Sequence, residues 1–460
     1  MSPAYTVILS FVQSLTPTWR KSQQVNFARL LAAFIERPSL VLSDLARALP
    51  PKEQHLHGRL KRIFRFLSNP RLDELALVGR WLKLVYHFGS DLPDDAYRLY
   101  LPILLDTTYF EPFAALIATV PCGSRGLPIA LTTYDRTDLA PCLPPEESWP
   151  PASYRQTHTP AASTVTPFLS QNHIEHKLID LVWRLLSPAL HGVLVADRGF
   201  ARAALFTRLK SQQRDFVVRI DADTHVWLTS EQPSQPVATA ALNSGERRWL
   251  PNVYYGKQDR VPINLLIVWD AGQAEPWYLV TSLADAAVTE TMYRWRMRTE
   301  CTHRDEKSGV LLREGGDAHH IKNVLHLHRL LLILSAAQWL SALTGLQAWA
   351  DLPILADAPQ GLPVLAPALC LDAEAEPALP PPIIPHRGLR PKIPRWMERF
   401  TARGHLSYVR LGMEVIRDGD LLWIIQRLVG WLTRFLSPWL PFWRPWQRRY
   451  RLSQGWTIPT

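Results

Sequence analysis

Apolar residues recur at helical spacing near the start of the chain, gather into short β-branched runs between about 100 and 281, and return to helical spacing afterwards. Within Gln23–Ile35 the apolar positions Val25, Leu30, Leu31, Phe34 and Ile35 predict an amphipathic helix. Ser43–Leu49 predicts a second helix, with Ser43 as its N-cap, and Leu56–Leu67 a third, in which Leu60, Ile63, Phe64 and Leu67 share the helix with Arg59, Lys61, Arg62 and Arg65. Leu101–Leu105 reads as a buried strand, followed by strands near Pro112–Val120 and at Leu127–Thr133. A helix is expected at Ile174–Leu186, a strand at Gly192–Ala196, a helix at Ala201–Ser211 and a strand at Asp215–Ile220. Strand-like runs then crowd together at Thr224–Thr229, Arg248–Leu250, Val253–Tyr255, Ile263–Val268 and Trp277–Thr281, separated by Gly, Asn, Asp and Pro.

Three strands, a helical crossover and a further strand are the ordering of an α/β sheet, so the fold class read from the pattern is α/β. Leu330–Ala350 is long enough to span a membrane, yet it contains Gln338, Gln347, two Ser and a Thr and reads as a core helix packed on the sheet. Asp351 to about Ile393 is rich in Pro and Ala and reads as a semi-stiff linker. Beyond it come helical patterning at Asp420–Phe435 and a tail dense in Trp and Arg, including Trp439, Trp443, Arg444 and Trp446. Interleaved aromatics and guanidiniums suit a nucleic-acid surface and a protein interface equally.

The 460 residues allow two or three domains, and the net charge of +10 is compatible with a polyanionic partner. Four Cys at dispersed positions point to a reducing compartment, with neither a zinc cage nor a disulfide frame. The amino end lacks the pattern of an export signal, so a cytoplasmic location is expected. No Gly-rich phosphate loop is present, and the histidine clusters lack metalloprotease spacing.

Three acidic residues carry the candidate chemistry. Asp106 follows the Leu101–Leu105 strand, and Asp197 follows Gly192–Ala196 within Asp197-Arg198-Gly199. Such residues also serve as turn formers or helix N-caps. Downstream, Tyr293, Arg296, Glu300 and Lys307 are spaced so that all four can project from one face of a helix, a carboxylate among cations and a phenol. That combination suits a metal ion and phosphate oxygens.

The Tyr-x2-Arg-x3-Glu-x6-Lys spacing, with the strand-Asp-Thr segment at Asp106 and the strand-Asp-Arg-Gly segment at Asp197, resembles the DDE transposases of bacterial insertion sequences that carry the YREK signature. The resemblance covers residues from about 100 to 345. It implies a ribonuclease H-like mixed sheet with flanking helices, interrupted by an all-β insertion, with helical N- and C-terminal regions. It further implies that Asp106, Asp197 and Glu300 hold two Mg²⁺ ions, for which Mn²⁺ may substitute. Tyr293, Arg296 and Lys307 would grip phosphate, with Arg198 a weaker candidate. The partners implied are the terminal inverted repeats and target DNA, with a homodimer in the end complex and no membrane. The location would be cytoplasmic and nucleoid-associated.

The divisions expected are a helical DNA-binding domain at 1–90 and a core at 98–221 and 288–350 split by a β insertion at 222–287. The linker at 351–393 and a dimerisation or DNA-binding region at 394–460 complete the chain. In the first of these Arg59, Lys61, Arg62 and Arg65 suit a helix-turn-helix-like reader of DNA, or equally the solvated face of a small bundle; end binding by this domain in the resembled family favours the former. Trp277 and Tyr278 suit either stacking on an extruded base or sheet core. The activity expected is cut-and-paste transposition by strand cleavage and strand transfer. A ribonuclease H-like nuclease without strand transfer and an inactive DNA-binding relic are the alternatives.

Overall fold

The computed structural model describes residues 3–37, 39–49, 55–81, 100–122, 125–138, 170–186, 190–229, 233–240, 242–307, 321, 323–351, 408–417, 424–426 and 428–429, with side chains undescribed at 297–307 and at a few other helix positions. The Pro-rich linker and the Trp/Arg-rich tail lie outside these residues.

A ten-stranded sheet of order β3-β2-β1-β4-β5-β10-β9-β8-β6-β7 organises the described residues. The strands β1 (Tyr100–Phe110), β4 (His191–Ala196) and β5 (Asp215–Ile220) are parallel neighbours. β2 (Phe113–Cys122) and β3 (Arg125–Asp135) add antiparallel hairpins outside β1. On the other side β10 (Trp277–Thr281) pairs antiparallel with β5 and leads to β9 (Val261–Val268), β8 (Arg247–Tyr255), β6 (His225–Trp227) and β7 (Gln235–Pro236). This mixed α/β architecture, with flanking helices and helical termini, is consistent with a ribonuclease H-like transposase fold. The inserted strands extend the central sheet through backbone pairing.

Strand alternation sorts the central residues onto two faces. Leu105, Leu194, Ala196, Phe216 and Val218 share a cluster with helices α5 (Gln171–Leu185) and α6 (Ala203–Ser211). Leu104, Val193, Val195, Val217 and Leu279 form the opposite cluster with Val288, Met292 and Tyr293 of α7 (Ala286–Lys307). β1 continues past Asp106 to Phe110, whereas the sequence expectation ended the strand at Leu105. The reason is β2, which keeps pairing from Asp106↔Ile117 to Phe110↔Phe113 after β4 has stopped.

The helical start consists of α1 (Pro3–Leu15), α2 (Lys21–Glu36), α3 (Leu42–Ala48) and α4 (Leu56–Leu67). Ser43 falls inside α3, whose N-cap is Val41. The expected cap is displaced because the Ser39 hydroxyl, upstream, takes the Val41 N–H and bonds Asp44. The long apolar helix α8 (Val324–Asp351) is the one helix among the described residues long and apolar enough to cross a membrane, and the most apolar 18-residue stretch within Val324–Gly345 is 94% buried inside the protein. Trp339 of α8 donates its indole N–H to the Pro128 carbonyl of β3 at 2.6 Å, fixing the helix to the sheet. Helix α9 (Tyr408–Arg417) lies against α8 and α2. There the Arg417 guanidinium donates to the Ile35 carbonyl through Nε and Nη2.

Candidate active site

Two of the three candidate acids come together through strand register. In the parallel pair β1/β4 the last partners are Leu105↔Ala196, so Asp106 and Asp197 follow at the same level on adjacent strands. Adjacent strands stand about 4.8 Å apart. Asp106 has the parity of Leu104, and Asp197 that of Val193 and Val195, which places both on the face covered by α7. Asp106 Oδ1 accepts the Thr107 N–H at 2.8 Å, and Asp197 Oδ1 accepts the Gly199 N–H at 3.0 Å. Asp197 therefore also caps the short 3₁₀ turn at Arg198–Phe200, which was the alternative reading of such a residue.

α7 crosses this face, contacting β1, β4 and β5. Tyr293 is 1% exposed and meets Trp277 of β10 edge-on, ring centroids 5.1 Å apart. Burial pushes the Tyr293 phenol up from its ordinary pKa. The guanidiniums of Arg296 and Arg219 oppose that shift, and the charge of Asp197 adds to it. Arg296 is 8% exposed and lies 5.6 Å from the Tyr293 ring centroid. Tyr293 and Arg296 thus lie beneath the surface, and Tyr293 is within electrostatic reach of Asp197. Position 300 is seven residues beyond Tyr293, two turns along the helix on the same stripe. The side chains of Glu300 and Lys307 lie outside the described residues.

The donor set fits a divalent cation of the Mg²⁺ type. Asp106 and Asp197 present hard carboxylate oxygens at one level, on the face crossed by the helix that carries Glu300, and such ions prefer oxygen ligands. Among the described residues no cluster of three His, Cys, Asp or Glu forms a ready cage.

Supporting contacts that the sequence alone does not reveal hold these parts in place. Arg202 donates to the Gly199 carbonyl at 3.0 Å and pairs with Glu175 of α5, which is 1% exposed and also accepts from Gln171. Burial drives the Glu175 carboxyl pKa upward against the pull of Arg202. On the other side of α7, Arg247 of β8 reaches Glu290 at 2.8 Å and Asp270 at 3.0 Å, and Arg294 of α7 binds the same two carboxylates. Arg294 also lies 5.3 Å from the Trp277 ring centroid. The inserted strands thereby hold the first turns of α7. Trp277 is packed between Tyr293 and Arg294, and Tyr278 is 8% exposed, so sheet and helix packing account for both aromatics.

Arg198 is exposed and paired with Asp221 at 3.0 Å. On α4, Lys61 and Arg65 face solvent. Arg59 instead donates to the Arg47 carbonyl at 3.1 Å and ties α4 to α3.

Residues 171–340 match the transposase DDE domain family. The match opens at the first residue of α5, takes in Asp197, the inserted strands and all of α7, and ends within α8. Asp106 lies upstream of it. No curated protein matches the chain. The matched domain supports transposase function in general, and with it DNA transposition and recombination with DNA as the partner.

Proposed function

We propose that this protein cleaves DNA strands at transposon ends and transfers them into target DNA, with Asp106, Asp197 and Glu300 as the acidic triad. The observation that carries the reading is the Leu105↔Ala196 register, which sets two strand-borne carboxylates side by side on the face crossed by α7. The three acids would hold divalent metal ions, which when bound supply an activated hydroxyl and charge stabilisation of the leaving oxygen. Arg296 supplies a guanidinium to the phosphate, and Lys307 extends the same cationic stripe about three turns further along α7. Tyr293 acts from beneath, its ring packed against the Arg296 guanidinium. Water attacks the phosphodiester at the element's end first, and the freed 3′ hydroxyl then attacks the target.

The chain would work as a homodimer on paired terminal inverted repeats, in the nucleoid-associated cytoplasm. The basic helical start, with Lys61 and Arg65, would grip the ends, and Arg198 would meet phosphate only after exchanging its Asp221 partner.

The test is a cleavage and joining assay with terminal-repeat DNA and Mg²⁺. Replacing Asp106 or Asp197 by Asn, or Glu300 by Gln, is expected to lower strand cleavage by about 10³-fold or more, while DNA binding is retained. Cleavage at the wild-type rate in all three variants would overturn the triad. Nicking without joined product would make the protein a nuclease, and binding without either would leave an inactive DNA-binding relic.

A further inference from the structure

A cavity of about 380 Å³ opens between α2 and α4, away from the acidic triad. Ser22, Asn26, Arg62, Arg65 and Asn69 line it, together with the bare backbone of Gly58, and no carboxylate is among the lining residues. Arg62 Nη1 is buried there with no hydrogen-bond partner among the described residues. Burial, and then the neighbouring Arg29 guanidinium, lower the Arg62 pKa from its ordinary value. Neither Arg29 nor Arg62 has a carboxylate partner among the described residues. A part-buried guanidinium with an unmatched donor, repelled by a second one, is costly in the protein by itself and favourable once an anion enters.

The polar groups around the cavity are those that recognise a phosphate. Arg62 and Arg65 offer charge in a forked geometry, the Ser22 hydroxyl donates, and the amides of Asn26 and Asn69 can each donate. The volume exceeds that of a phosphate and leaves room for an adjoining sugar. The opening lies on the same helix as the exposed Lys61.

We infer that this cavity is a phosphodiester-binding site, in which a backbone phosphate of duplex DNA seats between α2 and α4 on Arg62, Arg65, Ser22, Asn26 and Asn69. The inference rests on the reading of the chain as DNA-acting and changes the role of α4. Arg62 contacts backbone and carries no base information, so it sets position and affinity while sequence is read elsewhere.

The test is equilibrium binding of the full chain to a duplex bearing the terminal repeat and to an unrelated duplex of equal length, across a salt titration. Two variants are used. Arg62→Gln removes the charge and keeps hydrogen-bonding atoms. Gly58→Glu places a carboxylate at the cavity; a Cβ at Gly58 meets nothing within 4 Å, and Glu is a better helix former than Gly, so the fold tolerates it. Each variant is expected to weaken binding to both duplexes by the same factor, about tenfold, and to flatten the slope of log K against log salt by about one. Unchanged affinity and slope in both folded variants would overturn the site. Weakening confined to the terminal repeat would overturn it too, since that outcome reports base readout. A wild-type protein stabilised by inorganic phosphate, with DNA affinity untouched in the variants, would assign the cavity to free phosphate instead. Failure of the wild type to bind either duplex would overturn the DNA-acting reading itself, an outcome separate from failure of the cavity.

Discussion

Arg202 joins the backbone of the Asp197 turn to a carboxylate buried on α5, so its loss should be felt in stability as well as in any chemistry at Asp197. Arg202→Met leaves Glu175 buried without its cation, and breaking such a pair costs about 3 kcal/mol. A denaturant titration should show that loss, and Glu175→Gln in the same chain should recover most of it, because a neutral amide needs no counter-charge. The two strand-borne acids were legible in the sequence, since an Asp released after a short apolar run is visible without any knowledge of partners. The Glu175–Arg202–Gly199 link was not. β4 lies between α5 and α6 in the chain, and the link spans 27 positions between Glu175 and Arg202. The unpartnered Arg62 Nη1 was equally hidden, because its neighbour Arg29 comes from a different helix.

Among elements, the junction of α8 with the helical start carries a pH signature. Glu74 receives His328 at 3.3 Å and Arg329 at 2.6 Å, and the Ser68 hydroxyl meets His326 Nε2 at 2.8 Å. Burial alone would raise the Glu74 pKa, but the bonds from His328 and Arg329 outweigh it and leave the carboxyl below its ordinary 4.5. Burial lowers His326 from 6.5. Both groups have depressed folded pKa values, so each contributes stability above its ordinary value that is lost as pH falls. The junction should weaken first below about pH 6.5 and further below about pH 4.5, read as a falling Tm and faster amide exchange in residues 324–330, with neutral to alkaline pH having no such effect. Helix α9 gives a second expectation. A methyl group at Gly412 would overlap the Ser341 carbonyl of α8, so Gly412→Ala should destabilise the chain by about 1–3 kcal/mol despite alanine's better helix propensity, measured by thermal unfolding. The order of elements in the core was readable because most strands are short β-branched runs bounded by breakers, and β5 and β10 match their predicted limits to the residue. β8 was read as two runs because Pro251 and Asn252 look like a break. Pairing with β9 carries the strand across them as an irregularity, with Asn252 at φ 56° and its N–H on Asn264 Oδ1 at 2.9 Å.

At the scale of the whole molecule, core and inserted strands share one hydrogen-bonded sheet, with the Arg247, Glu290, Asp270 and Arg294 network bracing it to α7. They should therefore unfold together. Native-state hydrogen exchange is expected to give β9 and β10 amides protection close to that of β4 and β5, and an inserted segment that exchanges early as its own unit would contradict this. The sequence marked this segment as different in character from the core but did not disclose that its last strand returns to pair with β5, a contact set by chain folding and by no local pattern. That return has a consequence for how the protein is made. β5 is synthesised well before β10, and roughly sixty residues at about 5–20 residues per second means that its open edge, the apolar Phe216-Val217-Val218 among it, waits several seconds for its cover on the ribosome. Conditions that slow translation across 221–276 should thus raise the insoluble fraction of this protein, even when the finished chain is stable.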